Sequence, residues 1–299
     1  MQRVQLTRRG FTLIELLVAL VLLGLVSAAL YRVLVNNQRL YMAQTQRIDL
    51  SQNIRAAATI LPAEFRELSA SEGDIAGPLS ATRIAIRAMR WLGFVCSPPL
   101  LGGALTGVSM VIRSETPGQP MFFGARGLNI TTDSMLIYYD GNQTTRADDF
   151  WALGKPVSAP AAEDCLDGEP GQRIIFDLNL LGFPNVPGAI TLGAPVRGYE
   201  RVTYQLYQPV GDTSWYLGLQ PAGGTMQPLV GPLLSNGLNF AYFDSTGAVT
   251  GIRTRVARID ITVRARTAAA VRQGGGGGPM RATVDSISTS VALRNNRRF

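Results

Sequence analysis

From Phe11 to Leu30 the chain is apolar at almost every position, and its one charge is Glu15. A helix of about 20 residues spans about 30 Å, the thickness of a bilayer's hydrocarbon core, so 11–30 reads as a transmembrane helix. Beyond it the apolar residues thin to a stripe. Leu30, Leu34, Tyr41, Ile48, Ile54, Ala58, Leu61, Phe65 and Leu68 recur at steps near three, four or seven, with glutamines and arginines between them. That is the period of a helix with one apolar face, and it carries the helix on over 31–68. Pro62 is expected to kink it or to start a second segment. After Leu68 the period changes to two. Alternation predicts strands over 83–88, 108–113, 128–131, 134–139, 173–180, 202–207 and 214–219. Further on, Leu238, Phe240 and Tyr242 face one way, and Ile259, Ile261, Val263 and Ala265 alternate with Arg258, Asp260, Thr262 and Arg264. Residues 146–172 read as irregular and 184–195 as loop. Glycines 274–278 make a flexible connection across which the last two strands pair, with a bulge expected between Val284 and Ile287. The expected class is α+β: a long N-terminal helix packed onto a large antiparallel, sheet-rich domain over 69–299.

Charge refines this picture. Arg3, Arg8 and Arg9 precede the apolar run and place the N-terminus in the cytoplasm. A lone carboxylate inside a span costs roughly 2–4 kcal/mol, so Glu15 marks a functional position. A cleavable secretory signal would be cut after 27–29, but the apolar run is long for one and a charge in its first third is unusual. The net charge of +7 is nearly all arginine, Lys155 is the one lysine, and there is no histidine. Histidine triads, bases and metal sites are therefore excluded. No motif supports other catalytic chemistry, so no enzyme activity, cofactor or metal is expected. Cys96 and Cys165 both follow the span, on the side where disulfides persist. A bridge between them would contribute about 4 kcal/mol through loop closure. The acids of 163–169 suit calcium by type but match no EF-hand spacing, and read as a solvated loop. The basic tail of Arg294, Arg297 and Arg298 reads as solvated too, and nucleic acid is not an expected partner.

Arg9-Gly10-Phe11-Thr12-Leu13-Ile14-Glu15-Leu16-Leu17-Val18 resembles the class III signal of type IV prepilins and type II secretion pseudopilins. The resemblance implies a cytoplasmic leader over 1–10, cleavage between Gly10 and Phe11 by a prepilin peptidase, and N-methylation of Phe11. The span over 11–30 would be kept, first as anchor and then as filament core. Glu15 would be an assembly contact, meeting the new amine of Phe11 on a neighbouring subunit, and Gly24 would let the helix loosen. Weaker likenesses over 63–68, 133–139, 202–206, 237–244 and 291–295 resemble W-type minor pilins and J-type minor pseudopilins. The implied function is that of a minor pilin, a non-enzymatic subunit that helps initiate or tip type IV pilus assembly. The alternatives are a J-like minor pseudopilin of a type II secretion system, or a pilin-anchored adhesin or DNA-uptake receptor. The implied partners are the prepilin peptidase, other minor and major pilins or pseudopilins, the inner-membrane assembly platform and the lipid bilayer. The implied location is the bacterial inner membrane, single-pass with the main domain extracytoplasmic, and then the filament or its tip.

Overall fold

The computed structural model describes residues 12–101, 107–114, 123–124, 126–145, 147–178, 186–272 and 279–294. One helix, α1 (Leu13–Arg66), opens the chain. Strands β1 (Ile75–Ala76), β2 (Arg83–Leu101), β3 (Val108–Arg113), β4 (Phe123–Gly124), β5 (Asp133–Tyr139), β6 (Phe150–Pro156), β7 (Ala161–Ala162) and β8 (Gly171–Leu178) follow. A single helical turn, α2 (Val186–Ala189), precedes β9 (Pro195–Tyr207), β10 (Trp215–Pro221), β11 (Gln227–Phe243) and β12 (Arg258–Arg266). The chain continues through β13 (Val271–Arg272) and β14 (Met280–Arg281) to β15 (Val284–Ala292). Among the described residues the main sheet has thirteen strands, in the order β1-β2-β3-β8-β6-β5-β9-β10-β11-β12-β15, with β4 and β7 paired at its side and an added contact between β2 and β9. This is the α+β class read from the sequence, with the helix first and a large antiparallel sheet after it.

The chain divides into two compact units. The first holds residues 1–51 and 267–284. Within it, β13 and β14 pair as Val271 with Arg281 and Arg272 with Met280. The Ala269 N–H donates to Gln46 Oε1 at 3.2 Å. Leu50, Thr267 and Val271 are buried. The glycines 274–278 lie outside the described residues.

The second unit holds residues 52–266 and 285–299. Its stretch of α1 buries Ile54, Ala57, Leu61 and Phe65, and Leu68 just after it is buried as well. That spacing is the helical one expected of the stripe, with Ala57 in place of Ala58 at its centre. Phe65 sets its ring edge-on to Tyr204 at 6.2 Å and tilted to Phe240 at 5.8 Å. The helix runs through Pro62 to Arg66 as one element, so no second segment starts there. The sheet closes a second core around Trp91, Met110, Ile112, Met135, Ile137 and Phe176.

Strand β9 organises the sheet, pairing with β2 along one side and with β5 and then β10 along the other. At its middle Gly198 lies opposite Trp91. A Cβ on Gly198 would sit 2.0 Å from Trp91 Cε2. Because the indole is 1% exposed and walled in by the second core, it cannot step aside cheaply. Gly198→Ala should therefore cost about 3 kcal/mol as overpacking, read as a lower denaturant midpoint with altered tryptophan fluorescence. A variant as stable as the parent would show that the indole repacks freely.

Several expected boundaries move. The strand expected over 128–131 is a turn, because Asn129 Oδ1 accepts hydrogen bonds from the backbone N–H and hydroxyl of Thr131, an Asx turn that competes with sheet. The stretch 146–172 holds β6 and β7; in β6 Ala152, Gly154 and Pro156 are buried and Leu153 and Lys155 exposed. Strand β2 runs thirteen residues past its expected end at Ala88, with a register shift between Ser97 and Leu100 that absorbs Pro98 and Pro99. Strands β9 and β11 likewise begin earlier than alternation predicts. The described part of the expected loop 184–195 contains α2.

Candidate functional site

The candidate site is the start of α1. Its N-terminal turn is capped by Thr12. The Glu15 N–H donates to Thr12 Oγ1 at 3.3 Å and to the Thr12 carbonyl at 3.1 Å, and the Leu16 N–H reaches the same carbonyl at 3.2 Å. A hydroxyl at the N-cap with a glutamate three residues on is the capping-box pattern. Glu15 also stands in the first turn, where the helix dipole favours a negative charge. Thr12 is the residue that the sequence reading missed, although its Thr-x-x-Glu spacing was the available signal. Gly10 and Phe11 lie outside the described residues.

Beyond the cap, every residue from Leu13 to Leu34 is exposed. The helix is long and apolar enough to cross a membrane by length and composition. So long a continuous apolar surface is more than a water-soluble monomer exposes, and it calls for lipid or protein around it. At Gly24 an added Cβ would meet nothing within 4 Å. Nothing within the chain therefore demands a glycine there, whereas a small residue does let a second helix approach closely.

Past Gln52, α1 is tied to the sheet by a chain of charges. Arg90 on β2 donates through its terminal nitrogen to Glu64 at 2.9 and 3.2 Å and through Nε to Glu200 on β9 at 3.1 Å. Arg126 grips the fully buried Asp133 at 2.6 and 2.7 Å and reaches Glu200 at 3.1 Å. Burial works against the charge on Arg90, but Glu64 and Glu200 outweigh it and raise its pKa. The hydrogen bond to Asp133 is the main reason that Arg126 is raised as well. Nearby, Arg197 on β9 donates to Asp74 at 3.2 Å and to the Glu67 carbonyl at 3.4 Å. These are pairings for position; each carboxylate is occupied by a guanidinium.

Cys96 of β2 and Cys165, in the turn after β7, form a disulfide with Cα atoms 5.2 Å apart and Val111 packed against it. Two of the acids around Cys165 are taken by arginines, Glu163 by Arg173 and Asp167 by Arg113. The hydrogen bond from Arg113 holds the Asp167 carboxyl below the usual range.

Residues 6–31 match the prokaryotic N-terminal methylation motif. No curated protein and no solved structure matches the chain. The matched segment covers the expected processing junction, the Thr12 cap, Glu15 and most of the exposed apolar helix. That segment supports a class III signal of the kind that opens type IV pilin-like proteins.

Proposed function

We propose that the chain is a minor pilin, a non-enzymatic structural subunit that helps initiate or tip type IV pilus assembly. The observation that carries this reading is the continuity of the methylation motif over 6–31 with one helix that ends on a large sheet domain. In this reading residues 1–10 are a cytoplasmic leader, 11–30 the transmembrane helix, 31–68 its continuation and 69–299 the extracytoplasmic domain. A prepilin peptidase cuts between Gly10 and Phe11 and Phe11 is then N-methylated. The subunit waits in the inner membrane and passes, through the assembly platform, into contact with other pilins. A domain this large, next to a helix that must pack among others, suits a low-copy position better than a repeated one.

Mass spectrometry of the mature N-terminus, on protein made in cells holding a prepilin peptidase, tests the reading. Methylated Phe11 is the expected first residue. An N-terminus after Ala29, or an intact Met1, would overturn it.

A further inference from the structure

The two ends of the main sheet are unlike. At one end β1 is two residues long, a short edge of the kind that blunts unwanted pairing. At the other end β15 runs nine residues, Val-Asp-Ser-Ile-Ser-Thr-Ser-Val-Ala, with no proline, lysine, arginine or glycine to block a further strand. Its backbone register is fixed by two contacts to the segment that forms β12. The Leu293 N–H donates to the Ala257 carbonyl at 2.9 Å, and Ser288 Oγ lies 3.0 Å from Thr262 Oγ1. Strand alternation then turns the N–H groups of Ser288, Ser290, Ala292 and Arg294 away from β12. Arg294 bears this out, since its N–H reaches the carbonyl of Arg66, the last residue of α1, at 2.9 Å. Among the described residues β15 ends the strand order, so no further strand pairs along the side that Ser288, Ser290 and Ala292 face.

Ser290 and Ala292 border a groove of about 470 Å³, lined with Thr289 and Val291 on the same wall and by Ala58 and Pro62 on the other. On the helix wall, Pro62 has no N–H to give the Ala58 carbonyl. Arg66 and Arg294, which also line the groove, make one end of it basic. Arg294 is 68% exposed and 3.5 Å from Glu67.

We infer that this edge is a docking site for an extended segment of a partner protein, which adds a strand to β15 and sets a carboxylate against Arg66 and Arg294. Donors two residues apart on a free edge fit the main chain of a strand, and the two arginines fix the sign of charge at its end. The site stands on the sheet and helix geometry alone and does not depend on the pilus reading.

The test uses the full chain in detergent and a short synthetic peptide of alternating valine and threonine ending in two glutamates. Hydrogen exchange at Ser288, Ser290 and Ala292 should slow by about tenfold or more when the peptide is present in excess. The same peptide with alternate backbone nitrogens methylated should give no protection. S290P removes one outward donor at an edge position that tolerates proline, and should abolish protection while leaving the amides of β12 unchanged. R294E should weaken the glutamate-ended peptide and favour a lysine-ended one, a reversal that a folding defect cannot produce. Absence of protection, or equal binding of the methylated peptide, overturns the proposal. So does protection of the same amides without peptide that grows with protein concentration, which would mean that a second copy of the chain fills the edge.

Discussion

Replacing Glu15 with alanine is expected to leave leader cleavage largely intact and to cripple entry of the subunit into a filament or tip complex. The change lies beyond the Gly10–Phe11 junction, so the peptidase still meets its site. In the membrane the variant loses a costly charge and should reside there at least as well as the parent. Assembly is where it should fail. In the proposed packing the carboxylate meets the amine of a neighbouring Phe11, and truncating one partner of a buried charge pair costs roughly 2–5 kcal/mol, about thirtyfold or more in occupancy. The Thr12 cap makes a sharper control available. Glutamine at Glu15 preserves the hydrogen-bonding half of a capping box and removes only the charge. If Glu15→Gln assembles like the parent and Glu15→Ala does not, the residue serves the helix start and not a neighbour's amine. Cross-linking to partner pilins, beside a pilus count, reads both variants. A block at cleavage in either would move the role to peptidase recognition.

The second large effect is expected at Arg90. Its guanidinium holds Glu64 of α1 and Glu200 of β9 at once, with the three side chains only 12–21% exposed. Arg90→Met leaves two carboxylates with one neutralising partner fewer in a poorly solvated place, and should cost about 3 kcal/mol. For a domain of this size that is roughly 6–12 °C in Tm. Arg90→Lys should recover little, because one ammonium cannot fork between two carboxylates as a guanidinium does. Adding Glu64→Gln to Arg90→Met should return part of the loss by removing one stranded charge. Thermal unfolding of the detergent-solubilised chain measures all three. A loss below about 1 kcal/mol would place Arg90 with ordinary surface pairs and leave Phe65 and its neighbours to hold the helix alone.

Where one face of an element meets water, its pattern was legible. The strand of Ile259, Ile261, Val263 and Ala265 is β12, alternating in burial throughout. The helix stripe pointed to the buried Ile54, Leu61 and Phe65 because those positions face the sheet. Reading failed where local chemistry and tertiary context disagree. The strand read over 83–88 runs on to Leu101, and carries Pro98 and Pro99 across a register shift. Leu128 to Thr131 looks like a strand, but the Asn129 side chain bends it. The charge network was out of reach, since Arg90 finds partners 26 and 110 residues away and spacing along the chain says nothing about such a meeting. At the N-terminus the opposite holds. Cap, carboxylate and apolar run are all local, so the whole candidate site could be read from consecutive residues, and only Thr12 was passed over.

The disulfide has a consequence for proton binding. Histidine is absent, and Cys96 and Cys165 are joined, so the residue types that normally titrate between about pH 6 and pH 9 are missing from the side chains. Above that window burial raises the hydroxyls of Tyr204 and Tyr242 further still. Within it the α-amino group is the group whose ordinary range falls there. Stability changes with pH only where folded and unfolded chains bind different numbers of protons, so both stability and surface charge should stay level across neutral pH. Reducing the bridge would introduce two thiols and, with them, a slope at its alkaline end.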